Sequence, residues 1–120
     1  MNGVPMAGFL TTHVLDTARG RPAAGMRITL YALDGERRVL REVITNHDGR
    51  TDGPILPEAE FRPGRYELVF HVGAWLDIDE DAPAPRFLDE VPIRFGMAED
   101  DHYHVPLLIS PFGYSTYRGS

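Results

Sequence analysis

The chain reads as an all-β protein, a two-sheet antiparallel sandwich of about seven to eight short strands with one short helix. Three observations predict it. Ten prolines and twelve glycines interrupt the 120 residues at short intervals. Between them, apolar and polar side chains alternate with a period of two, the pattern of half-buried strands. Windows with helical spacing are few.

The elements follow in order. From Phe9 to Asp16, Leu10, Thr12 and Val14 alternate with Thr11, His13 and Leu15, and the two sets face opposite sides of a strand. Ala18-Arg19-Gly20-Arg21-Pro22 closes it as a turn. Met26, Ile28, Leu30 and Ala32 form one face of a second strand, with Arg27, Thr29 and Tyr31 on the other; Asp34-Gly35 is the next turn signal. A third run, Arg37 to Asn46, is apolar on parts of both faces. His47-Asp48-Gly49-Arg50-Thr51-Asp52-Gly53-Pro54 holds two Asp-Gly turns around Arg50 and Thr51, and tight turns fix such residues on a scaffold. Tyr66, Leu68, Phe70 and Val72 mark a fourth strand opposed by Glu67, Val69 and His71. Ala74 to Asp81 reads as the short helix, ending in the loop Ala82-Pro83-Ala84-Pro85. Val91, Ile93 and Phe95 mark a fifth strand, which Pro92 assigns to an edge or a strand start. His102 to Ser110 is the sixth, with Tyr103, Val105, Leu107 and Ile109 on one face and His102, His104, Pro106 and Leu108 on the other. Tyr114 to Tyr117 is the last. The expected organisation is a flexible segment over residues 1–8 and a single domain over 9–120.

Composition narrows the function. There is no cysteine, which removes disulfides, thiolate metal sites and a cysteine nucleophile. The formal net charge is −6, with no basic patch to displace phosphate counterions, so nucleic acid is not an expected partner. No stretch approaches the roughly 18 to 20 apolar residues of a membrane helix. The first residues lack the charged and apolar regions of a signal peptide, and a cytoplasmic protein is the expectation.

Candidate chemistry gathers around three histidines. His102 and His104, at i and i+2 of one strand, point the same way with side chains about 7 Å apart. That spacing suits a metal site completed by His13, hence a zinc hydrolase, and equally a metal-free acid–base pair, since imidazole titrates near neutral pH. Taken locally, His102 reads as a surface residue, whereas His104 lies deeper in its strand. His47 and His71 read as solvated. The acidic run Asp77-Ile78-Asp79-Glu80-Asp81 mimics the start of a calcium loop, but Ala82 and Leu88 stand where Gly and a bidentate Glu are needed. Ser115, Thr116 and Ser120 lack a nucleophile elbow.

Three stretches carry a resemblance. They are Leu10 to Thr17 with Gly20-Arg21-Pro22-Ala23, Asn46 to Pro54, and His102 to Pro111 running into Tyr114-Ser115-Thr116-Tyr117-Arg118-Gly119-Ser120. On these the chain resembles the transthyretin-like 5-hydroxyisourate hydrolases over nearly its whole length. The terminal Tyr-Arg-Gly-Ser is the motif that separates such enzymes from transthyretin itself, a hormone carrier of the same fold. The resemblance implies a transthyretin-like sandwich assembled as a homotetramer, with sites in the channel between dimers, no cofactor and no metal. It assigns catalytic roles to His13, Arg50 and His104, and substrate contacts to Ser115, Tyr117, Arg118, Gly119 and Ser120. The implied reaction opens the six-membered ring of 5-hydroxyisourate in urate breakdown. A small-ligand carrier without catalysis is the alternative, because fold alone does not fix function.

Overall fold

In the computed structural model, residues 8–79 and 83–119 are described. The strands are β1 (Phe9–Asp16), β2 (Arg21–Pro22), β3 (Arg27–Ala32), β4 (Arg38–Ile44), β5 (Gly64–His71), β6 (Glu90–Met97), β7 (His102–Ser110) and β8 (Gly113–Thr116). One helix, α1 (Val72–Asp79), follows β5 directly, and a 3-10 turn covers Glu58–Glu60. Two four-stranded sheets result, ordered β2-β1-β7-β8 and β4-β3-β5-β6. The two-sheet sandwich with one helix is therefore what the alternating pattern leads one to expect, and Pro92 sits on β6, an edge strand.

The differences have local causes. β1 and β7 run parallel, with Phe9 opposite His102, Thr11 opposite His104 and Asp16 opposite Ile109. A period of two reports which faces are apolar, not the direction of the neighbour. The chain leaves β2, builds the whole second sheet, and returns to lay β7 beside β1. The helix begins at Val72, where the strand alternation still seemed to hold, and Gly73 makes this possible. Its N–H donates to the Asp89 carbonyl at 2.9 Å, and a Cβ there would lie 3.0 Å from the Asp89 Cα. Trp75 fastens the helix by donating its indole N–H to the Ala24 carbonyl at 2.6 Å. Arg21–Pro22, read as part of a turn, forms a two-residue edge ladder with Leu15 and Asp16. Glu80, Asp81 and Ala82 lie outside the described residues, as do residues 1–7 of the expected flexible segment. Gly8 is tied down: its N–H donates to Asp100 Oδ1 at 2.6 Å.

The core lies between the sheets. Leu10 and Val14 of β1 and Leu107 and Ile109 of β7 meet Ile28, Leu30, Leu68 and Phe70 of the second sheet, all essentially inaccessible. Each such side chain stabilises the fold by about 1.5–3 kcal/mol relative to its exposed state. Burial of this inner face leaves His13 and His104, on the alternate positions, facing away from the core.

Glu67 is the exception on the outer face of the second sheet. It stands on the strand face opposite Tyr66, Leu68 and Phe70, yet only 2% of it is exposed. Arg37 Nε donates to its Oε1 at 2.7 Å and Arg94 Nε to its Oε2 at 3.0 Å; the Arg37 guanidinium also covers the Tyr31 ring at 3.6 Å. Burial pushes the Glu67 carboxyl upward, but the two guanidinium hydrogen bonds and their charges outweigh it and hold the carboxyl below its ordinary value. Each arginine serves one oxygen, so either alone leaves the other oxygen unpaired. Chemical denaturation is expected to show that Arg37→Met with Arg94→Met destabilises the protein by more than the sum of the single variants, since only the double variant leaves the Glu67 carboxylate without a cation.

Candidate active site

The site is assembled by the β1–β7 register. Thr11 and His13 alternate along the outward face of β1, and His104 occupies the outward face of β7 opposite Thr11. A third segment joins at the other edge of β1. The turn after β4 is built by Asn46, whose Oδ1 accepts the N–H groups of Asp48 (2.9 Å) and Arg50 (3.2 Å), while its N–H donates to the Arg50 carbonyl at 2.8 Å. Gly49 lets this turn approach the strand. It has φ +73°, a Cβ there would collide with the Val14 carbonyl, and its own carbonyl accepts the Val14 N–H at 2.8 Å. Arg50 is thereby bridged to His13 across the backbone.

His13, Arg50 and His104 converge electrostatically. Burial, then the Arg50 charge, lowers the His13 pKa from the ordinary 6.5, against a smaller opposing hydrogen bond to the Asp48 backbone. Burial, then Arg50, then the other two histidines, lowers that of His104 as well. Both imidazoles are thus neutral proton acceptors near neutral pH, beside a permanent cation.

The last residues fold back on the same strand. The Gly119 N–H donates to the His104 carbonyl at 2.6 Å, and a Cβ at Gly119 would lie 2.8 Å from His104 Cδ2, so only glycine fits against that ring. Arg118 does not join Arg50 within the chain. Its Nη2 reaches Asp101 Oδ2 at 3.3 Å and the His102 carbonyl at 3.2 Å, and its guanidinium lies over Tyr103, on the core side of β7. Tyr117 is 60% exposed, and Ser115 is exposed on β8 opposite Leu108. Ser120 lies outside the described residues. Two cavities lie elsewhere: one of about 500 Å³ is lined by Arg37, Arg65 and Arg94, and one of about 250 Å³ by Tyr103, Tyr117 and Arg118. In a single chain, Thr11, His13, His102 and His104 are each half-buried.

Sequence reasoning passed over Thr11, whose hydroxyl touches His102 Nε2 at 2.7 Å and His104 Nδ1 at 2.8 Å. Its one signal was the i, i+2 relation to His13. His102 is also more constrained than a surface residue, for its ring stacks on Phe9 at 4.1 Å and 9°. Among the described residues, no three His, Asp or Glu side chains are grouped to hold a metal ion.

The HIUase/transthyretin family profile matches residues 10–119. The chain belongs to this family. It is 65% identical over 115 residues to the 5-hydroxyisourate hydrolase of Mesorhizobium japonicum, covering 94% of this chain and 93% of that protein. Among solved structures, the Klebsiella pneumoniae 5-hydroxyisourate hydrolase superposes with a TM-score of 0.80 at 35% identity, covering 94% of this chain and 99% of that one. An (S)-allantoin synthase structure matches with a TM-score of 0.87 at 44% identity; it covers all of this chain, which spans 46% of that longer one. Family membership accounts for the sandwich, and fold alone does not fix the chemistry.

NMR titration is expected to find His13 and His104 below 6.5. Arg50→Met removes a cause that lowers the pKa at both rings, so both values are expected to rise. The sign follows from the lowered values: the neutral form persists as pH falls, and the acid limb of any histidine-dependent activity lies below 6.5.

Proposed function

We propose that the chain is a 5-hydroxyisourate hydrolase that adds water across the N1–C6 acyl bond, opening the six-membered ring to 2-oxo-4-hydroxy-4-carboxy-5-ureidoimidazoline. The names of its relatives support the substrate. The observation that carries the chemistry is the pairing of two neutral imidazoles, His13 and His104, around the fixed guanidinium of Arg50. One imidazole takes a proton from water as its oxygen attacks C6, a step worth roughly 10² to 10⁴ in rate. Negative charge builds on the C6 oxygen, and Arg50 donates hydrogen bonds to it from a position set in advance. The C6–N1 bond then breaks with N1 as the leaving atom, the imidazolium gives its proton to N1, and the new carboxylic acid at C6 releases its remaining proton to solvent. Neither step requires a metal or a cofactor.

The remaining parts of the proposal concern the frame. Residues 9–120 act as one domain in the cytoplasm. Ser115, Tyr117, Arg118, Gly119 and Ser120 form a substrate wall, with Gly119 held against His104 and Arg118 anchoring the segment through Asp101. The histidine face fits a homotetramer in which a second copy closes the channel.

Freshly prepared 5-hydroxyisourate decays with a falling absorbance, and the protein is expected to accelerate that decay, with or without a chelator present. His13→Asn and His104→Asn are expected to lower kcat at least about a hundredfold. Decay no faster than in buffer would instead support a transthyretin-like carrier. A long C-terminal tag is expected to impair turnover, and full activity with it would show that the last residues do not line the site.

A further inference from the structure

Thr11 places one hydroxyl between two imidazoles. Its Oγ1 is 2.7 Å from His102 Nε2 and 2.8 Å from His104 Nδ1, both within strong hydrogen-bond range. A hydroxyl has one proton to give, so it donates to one ring and accepts from the other. The tautomers of the two histidines are therefore linked through a single oxygen. If His102 Nε2 carries the proton, Thr11 donates to His104 Nδ1, and neutral His104 has its proton on Nε2. If His104 Nδ1 carries the proton, Thr11 donates to His102 Nε2, and His104 Nε2 is left with a free lone pair.

His102 is built to hold its end of this chain. Its ring is stacked on Phe9 at 4.1 Å, its backbone N–H donates to Asp101 Oδ1 at 2.8 Å, and its backbone carbonyl accepts from Arg118. The His102 and His104 rings do not stack; their centroids are 6.3 Å apart at 60°, which leaves Thr11 as the link.

From this geometry we propose that His102 and Thr11 are positioning residues that hold His104 as its Nδ1–H tautomer, with Nε2 free to take the proton of the attacking water. The inference rests on the hydrolase reading above and deepens it. In the resting state the chain runs His104 Nδ1–H to Thr11 Oγ1, and Thr11 O–H to His102 Nε2. When His104 Nε2 accepts the proton from water, Nδ1–H becomes part of an imidazolium. Its bond to Thr11 is then charge-assisted and strengthens in the step where positive charge appears. No bond is broken in the relay itself.

The test uses three single variants of the full chain and the double variant His102→Phe with Thr11→Val. His102→Phe keeps a ring against Phe9 but removes both nitrogens, Thr11→Val keeps the branched shape but removes the hydroxyl, and Thr11→Ser restores it. His102→Phe and Thr11→Val are each expected to lower kcat about tenfold, the scale of one lost hydrogen bond, with KM little changed. Thr11→Ser is expected to stay near wild type, and the double variant to be no slower than Thr11→Val alone, because both changes cut the same chain. Wild-type kcat in His102→Phe, or equal losses in Thr11→Ser and Thr11→Val, would overturn the proposal. Should Thr11→Val fail to fold, the His102→Phe and Thr11→Ser pair retains that discrimination.

Nitrogen-15 spectra of the His104 ring supply a readout that needs no turnover. Nδ1–H in the wild type with a shift toward Nε2–H in His102→Phe supports the relay, and Nε2–H in the wild type overturns it. If the wild type does not accelerate ring opening, the proposed activity fails, and the spectra alone decide the relay.

Discussion

The parallel pairing of β1 with β7 is the constraint from which the site derives. It brings Thr11 beside His104 and Phe9 beside His102 across 93 residues of chain, and it sets His13 on the same outward face. A slip of one residue would turn that face into the core and bury the histidines among Leu10, Val14 and Leu107. Hydrophobic burial thus fixes the position of the polar groups without touching them. The buried Thr12 hydroxyl, which donates to the Val105 carbonyl at 2.8 Å, adds a polar latch to the same register.

Much of the fold is legible in the chain because most strands alternate cleanly. Phe9–Asp16 and His102–Ser110 have the bounds that their patterns indicate, and the turn around Arg50 stands out through its glycines. What the pattern does not carry is pairing. Nothing in the alternation of β1 or β7 says that they are neighbours, or that they run the same way. Thr11 looks like any strand threonine, and its role depends wholly on the residue opposite. His102 looks solvated for the same reason, since Phe9 covers it only through the register. Glu67 misleads in another way: a charged residue on an outward strand position normally meets water, but Arg37 and Arg94 close over this one. The grouping of His13, Arg50 and His104 was suggested by family resemblance; local spacing alone would have allowed a metal site as readily as an acid–base pair.

Two kinds of glycine serve the site differently. Gly49 is required by the backbone, for it combines a positive φ with an approach to β1 that no side chain permits. Gly119 is required by a ring, since it lies flat against His104 and its N–H closes a short bond to that residue's carbonyl. One glycine delivers the guanidinium and the other seals an imidazole. Around them the sandwich is a support, since a fold alone does not fix function.

The order of the chain also determines when this face exists during synthesis. The half made of β1 and the Arg50 turn emerges early, and the second sheet follows, yet β1 has no partner on its β7 side until residues 102–110 appear. Gly119 reaches His104 later still. Closing contacts over so long a span is slow compared with local pairing. A nascent chain therefore carries an unpaired strand edge on β1 until residues 102–110 have been made, and the imidazole pair comes into being only after them.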